Sequence, residues 1–254
     1  MKNYIINSVA ILLITLPSFG QLKSIAYREG SQKLKGFAAV PAKANAGKPG
    51  ILILPAWKGI DKHSKESATA LSNLGYHAFI ADIYGEGNYP TDTKQAAERA
   101  GYYKKNYTQY QARIRSALDE LIKTGADPDK IVIMGYCFGG LGALEAARGN
   151  LPVKGVASFH GGLGKDASRS EKPTAKILVC HGADDPYEPQ EEIIAFQKEM
   201  RDANADWQMI YYANAVHSFT DPEAGSDNSK GAAYNEKAAK RSWEHFLIFL
   251  RETL

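Results

Sequence analysis

Ile131-Val132-Ile133-Met134-Gly135-Tyr136-Cys137-Phe138-Gly139-Gly140 is the stretch that decides how this chain folds. The apolar run Ile131 to Met134 reads as a buried strand, and Leu141 to Arg148 reads as a helix. Between them small residues turn the chain sharply and leave one side chain, Cys137, projecting at the apex. Glycines flank it because such a turn is strained and brings helix and sheet into close approach. A helix starting there aims unpaired N–H groups and a partial positive charge at the sulfur, the setting of reactive cysteines. The alternative is an ordinary strand–turn–helix with a buried cysteine. The strand-before, helix-after context favours a nucleophile at Cys137.

Outward from this motif, strands and helices alternate. Ile51 to Leu54, Ala78 to Ala81, Val156 to Phe159, Lys176 to Cys180 and Trp207 to Tyr212 read as strands. Apolar residues at Ala68, Leu71 and Leu74, stopped by Gly75, mark a helix. Ile114, Ala117, Leu118, Leu121 and Ile122 mark another, and so do Ile193, Phe196 and Met200. Ala239, Trp243, Phe246 and Leu250 mark the last. Residues 84–110, rich in Gly, Tyr and polar side chains, read as a long loop with short helical pieces. Residues 23–40 read as an antiparallel hairpin turning at Glu29-Gly30-Ser31. The alternation implies one α/β domain: a single doubly wound, mostly parallel sheet with an N-terminal antiparallel hairpin.

Composition agrees with that class. The 254 residues are 44% hydrophobic, enough for a sizeable core, and the formal charge is only +3. No basic stripe exists to hold nucleic acid. At the N-terminus, Lys2, the apolar segment Ile5 to Leu16 and Ser18-Phe19-Gly20 form the pattern of a signal peptide over residues 1–20. A stretch of twelve residues interrupted by Asn7 and Ser8 is too short to span a bilayer. The expected product is residues 21–254, exported to the periplasm or medium, with no stable membrane association. Its only cysteines are Cys137 and Cys180. With another strand between theirs they lie about 10 Å apart, too far for a disulfide.

Reactive groups in such a sheet gather at the C-terminal ends of strands. A cysteine nucleophile needs a base and a group to orient it. After the Cys180 strand comes His181-Gly182-Ala183-Asp184-Asp185-Pro186. Asp185 is preferred to Asp184 as the acid, an Asx turn before Pro being the other reading. After the Trp207 to Tyr212 strand comes Ala215-Val216-His217-Ser218-Phe219, which places a loop histidine last in order. His160 ends a strand and is a candidate pocket residue; His181, His63, His77 and His245 carry less. No histidine or cysteine pair has zinc-site spacing, so neither metal nor cofactor is expected.

These motifs resemble the dienelactone hydrolase (carboxymethylenebutenolidase) family of α/β-hydrolases, from about Gly50 to Leu250. Ala81-Asp82-Ile83-Tyr84-Gly85, Gly135 to Gly140, Ser158-Phe159-His160-Gly161-Gly162, Gly182 to Asp185 and His217-Ser218-Phe219 carry the resemblance. It implies the α/β-hydrolase fold, with Cys137, Asp185 and His217 on the family's catalytic positions. It also implies an oxyanion hole from the N–H groups of Phe138 and Trp57. Family members commonly carry Glu where this chain has Ala56. The arginines that hold the dienelactone carboxylate have no aligned counterpart, and Lys58, Arg99 and Arg113 are candidate stand-ins. Lys58, Tyr84, Tyr136 and His160 are the expected pocket residues. The expected activity is cysteine-dependent hydrolysis of a small-molecule ester or lactone through a Cys-His-Asp triad and an acyl-enzyme. The alternatives are an acyltransferase using the same intermediate and a small-molecule-binding protein that has lost catalysis.

Overall fold

A computed structural model describes residues 22–166 and 169–254, so the signal segment read at 1–20 lies outside the described residues. The hairpin is β1 (Lys23–Glu29) and β2 (Gln32–Ala39). Then follow β3 (Gly50–Leu54), α1 (Lys62–Asn73), β4 (His77–Ile80), α2 (Thr93–Lys105), α3 (Tyr107–Lys123), β5 (Ile131–Tyr136) and α4 (Phe138–Arg148). The chain continues through β6 (Gly155–Phe159), β7 (Lys176–Gly182), α5 (Gln190–Asp202), β8 (Trp207–Tyr212) and α6 (Glu236–Thr253). One eight-stranded sheet has the order β1-β2-β4-β3-β5-β6-β7-β8. Its pairings are parallel except β1–β2 and β2–β4. This is the α/β-hydrolase arrangement.

The period of two in each strand divides the core. Leu52, Leu54, Ile131 and Ile133 pack with Ile114 and Leu118 of α3, Ala143 and Leu144 of α4, and Phe196 of α5. Ile51, Ile53, Val132 and Met134 pack with Ala68 and Leu71 of α1 and Phe246 and Leu250 of α6. The central strands are therefore apolar on both faces and read as unbroken hydrophobic runs.

One stretch differs from the sequence reading. Residues 93–105 form a full helix, where a loop with short helical pieces is expected. Asp92 caps it by accepting from Gln95 N–H at 2.8 Å. Its buried face is only Ala96, Ala100 and Tyr103, two small residues and one aromatic. Tyr103 of this helix meets the rings of Tyr84 and Phe138, the residue after Cys137.

Candidate active site

Cys137 sits between β5 and α4 with φ 53° and ψ −114°, a conformation that non-glycine residues rarely adopt. Its N–H donates to Phe159 O at 3.0 Å, which ties the turn to β6. A Cβ on Gly135 would lie 2.0 Å from Gly139 O, and one on Gly139 would lie 2.1 Å from Leu54 O. Backbone packs on backbone at both glycines, so the sharp turn can form only without side chains there.

The loops after β7 and β8 bring two residues to the sulfur. His217 Nε2 lies 3.0 Å from Cys137 Sγ, and its Nδ1 lies 2.8 Å from Asp185 Oδ2. Asp185 is buried and held by its N–H to Gly182 O at 3.2 Å. Its Oδ1 accepts from Tyr187 N–H at 2.9 Å, which leaves Oδ2 for the imidazole. The neighbouring Asp184 is exposed and uses its N–H on Ala215 O. His217 is itself clamped, its N–H donating to Gly231 O and its C=O accepting from Ala233 N–H. Burial opposes its charge, but the hydrogen bonds to Asp185 and Cys137 overcome this and push the imidazole up to about 10.

Phe138 follows Cys137 directly, and Trp57 lies in the loop after β3. Phe138 opens α4, so its N–H has no intrahelical partner. The Trp57 peptide is fixed by Tyr84, whose hydroxyl donates to Trp57 O at 2.6 Å. Tyr84 stacks on Phe138, which stacks in turn on buried Tyr110, and the Tyr110 hydroxyl donates to Phe138 O at 3.0 Å. Ala56 stands beside Trp57 and closes a turn by accepting from Gly59 N–H.

Of the expected pocket residues, Tyr84 lines a cavity of about 530 Å³ together with Arg99 and Tyr103. Lys58 is exposed. The Tyr136 hydroxyl is paired with Ser67 Oγ at 2.9 Å, and its ring lines a separate cavity of about 270 Å³ against α1 and α6. His160 is buried, packed edge-on against the His217 ring. Arg113 is consumed by an ion pair with Glu29. Arg99 has no anionic partner among the described residues.

The sequence reading missed Tyr187, whose ring meets His217 edge-on with centroids 5.4 Å apart. It lines a third cavity of about 510 Å³ with Leu141, Lys165, Glu188 and Glu192. Its position two residues after Asp185 was the available signal. Burial and the neighbouring Glu192 carboxyl push Glu188 up to about 7, against the pull of its bond from Leu163 N–H. Among the described residues no group of three His, Cys, Asp or Glu side chains could hold a metal. No helix among them is long and apolar enough to cross a membrane.

Residues 34–254 match the dienelactone hydrolase family. The chain belongs to that family. As a dienelactone hydrolase-family protein it is a hydrolase acting on esters or lactones. It is 36% identical over 144 residues to an uncharacterised Caenorhabditis elegans protein, covering 55% of this chain and 91% of the relative. It is 28% identical over 217 residues to a Bradyrhizobium protein named probable 2-oxo-3-(5-oxofuran-2-ylidene)propanoate lactonase, covering 80% and 83%. Among solved structures it is similar to a dienelactone hydrolase-like promiscuous phosphotriesterase from metagenomic libraries. That likeness has 34% identity and a TM-score of 0.86, covering 92% of this chain and 98% of the other.

Proposed function

We propose that this family member cleaves a carboxylic ester or lactone through an acyl-enzyme on Cys137, with His217 as base and Asp185 as its orienting acid. The observation that carries the reading is the continuous line from Sγ to Nε2 at 3.0 Å and from Nδ1 to Oδ2 at 2.8 Å. His217 accepts the thiol proton, and the sulfur attacks the carbonyl carbon. The tetrahedral oxyanion accepts from the N–H groups of Phe138 and Trp57, donors fixed before the charge develops. Collapse expels an alkoxide, which takes the proton from Nε2. Water then attacks the thioester while His217 accepts its proton, and the departing sulfur recovers that proton as the acid leaves.

The distribution of charge around the site supports this division of labour. Asp185 gives His217 a buried anion on the side away from the sulfur, so the imidazolium formed at each step is stabilised where it forms. The test is an activated ester mixed with the protein and read by intact mass and peptide mapping. An acyl adduct on Cys137 that decays in water, absent in Cys137→Ala, is expected. Undiminished ester turnover by Cys137→Ala would sink the reading. We also infer export, from the charged start, apolar stretch and small residues of positions 1–20. The N-terminal mass of the secreted protein should begin at Gln21, and a retained Met1 would overturn this.

A further inference from the structure

The proposed chemistry leaves a histidine unused beside its base. His160 follows β6 with φ 41° and is 3% exposed. Its N–H donates to Cys180 O at 2.9 Å. Its ring meets His217 edge-on, centroids 5.3 Å apart, and meets Phe219 the same way at 5.2 Å. Nε2 of His160 lies 2.7 Å from Thr220 Oγ1, three residues after His217. The same hydroxyl lies 3.2 Å from Nε2 of His63 in α1. One hydroxyl therefore joins the His217 loop to the end of β6 and to α1.

Counting protons gives this chain a direction. Thr220 has one hydroxyl proton to give. His160 Nδ1 is buried and has no hydrogen-bond partner. Were Thr220 to donate to His160, Nδ1 would carry a buried N–H with no acceptor, the rarer kind of orphan. The favoured arrangement has His160 Nε2–H donating to Thr220 and Thr220 donating to His63 Nε2. His63 must be neutral to accept, and His160 must be neutral to leave no N–H stranded at Nδ1. Burial keeps His160 well below the ordinary imidazole range, with repulsion from His217, His63 and His181 acting the same way against the opposing pull of its own backbone. Burial also lowers His63, against the opposing pull of Asp221, Asp61 and Glu66.

We propose that His160 is a positioning residue for His217: held as one neutral tautomer by the Thr220–His63 chain, it keeps the His217 ring aligned on Cys137 Sγ and confines positive charge to His217. This rests on the Cys137–His217 pairing proposed above. Removing the hydroxyl frees His160 to rotate or change tautomer beside a charged neighbour, and the Sγ–Nε2 alignment loosens.

The pH profile of Cys137 alkylation by iodoacetamide tests it; Cys180 is fully buried and stays silent. Profiles are measured for wild type, Thr220→Val, Thr220→Ser, His63→Phe and His217→Ala, with thermal melts alongside. Thr220→Val should alkylate roughly tenfold more slowly at neutral pH, its profile displaced toward that of His217→Ala. Thr220→Ser should restore the wild-type profile. His63→Phe, which keeps a ring against Tyr136, should move the same way by less, and it decides the matter if Thr220→Val does not fold. A purely structural role would lower the melting temperature and leave the profile in place. If His217→Ala shifts the profile but Thr220→Val and His63→Phe do not, the positioning role is overturned and the pairing stands. If wild type and His217→Ala coincide, the pairing itself fails and takes this role with it.

Discussion

Asp185→Asn isolates what the acid contributes to the base. The rise of His217 from 6.5 to about 10 corresponds to about 5 kcal/mol of preference for the charged ring. Burial works against that preference, so the two hydrogen-bonding partners, Asp185 and Cys137, supply all of it. Asparagine keeps the size and can still accept from Nδ1–H, but it carries no charge. Losing the Asp185 charge withdraws a share of that preference, on the order of 2 kcal/mol, and brings the His217 midpoint down from about 10. The same energy withheld from the imidazolium formed during acylation slows turnover roughly thirtyfold or more. The assay is ring-nitrogen NMR of His217 across pH, paired with steady-state ester hydrolysis, for wild type, Asp185→Asn and Asp184→Asn. Asp184 is exposed and engages only backbone, so its variant should match wild type in both readouts. A midpoint unmoved in Asp185→Asn, or a larger loss in Asp184→Asn, would refute the reasoning.

Gly139→Ala drives a Cβ to 2.1 Å from Leu54 O, a backbone atom that cannot step aside; chemical denaturation should show a loss of about 3 kcal/mol or more. Arg148 is buried between Glu145 and Glu199 and also donates to the carbonyls of Leu163 and Gly164, which line the Tyr187 cavity or lead into it. Arg148→Met should cost about 3 kcal/mol in urea unfolding, because it strands buried carboxylates that Arg169 and Lys165 only partly neutralise. The fold holds His160, His63, His77 and His181 below the ordinary imidazole value. The unfolded chain therefore binds more protons below about pH 6.5, and stability should fall as pH drops through that value. Glu188, raised to about 7, acts in the opposite sense. Melting temperatures at pH 7 and pH 5 check this, and His160→Asn should show the smaller drop.

The fold was legible because its signals are local. Ile131 to Met134, Ile51 to Leu54 and Trp207 to Tyr212 are apolar runs at strand length, and their helices carry apolar residues at helical spacing. Hydrophobic burial imposes those periods on any chain that forms these layers. The helix 93–105 escaped because Ala96 and Ala100 bury little area, so its face is set by what packs on it rather than by its own hydrophobicity. The order Cys137, Asp185, His217 could be read along the chain, since each follows a strand and loops at strand ends carry reactive groups. Which atoms meet could not. That Oδ2 of Asp185 faces His217, while Asp184 turns to solvent, is decided by Gly182 O and Tyr187 N–H. The place of Tyr136 against α1, and the hydroxyl of Thr220 between His63 and His160, are likewise set by elements 60 to 157 residues apart. Local sequence fixes a residue's element and face. Only the packed tertiary structure sets distances and pairs buried polar groups, because hydrogen bonds reach about 3 Å and their partners are remote in the chain.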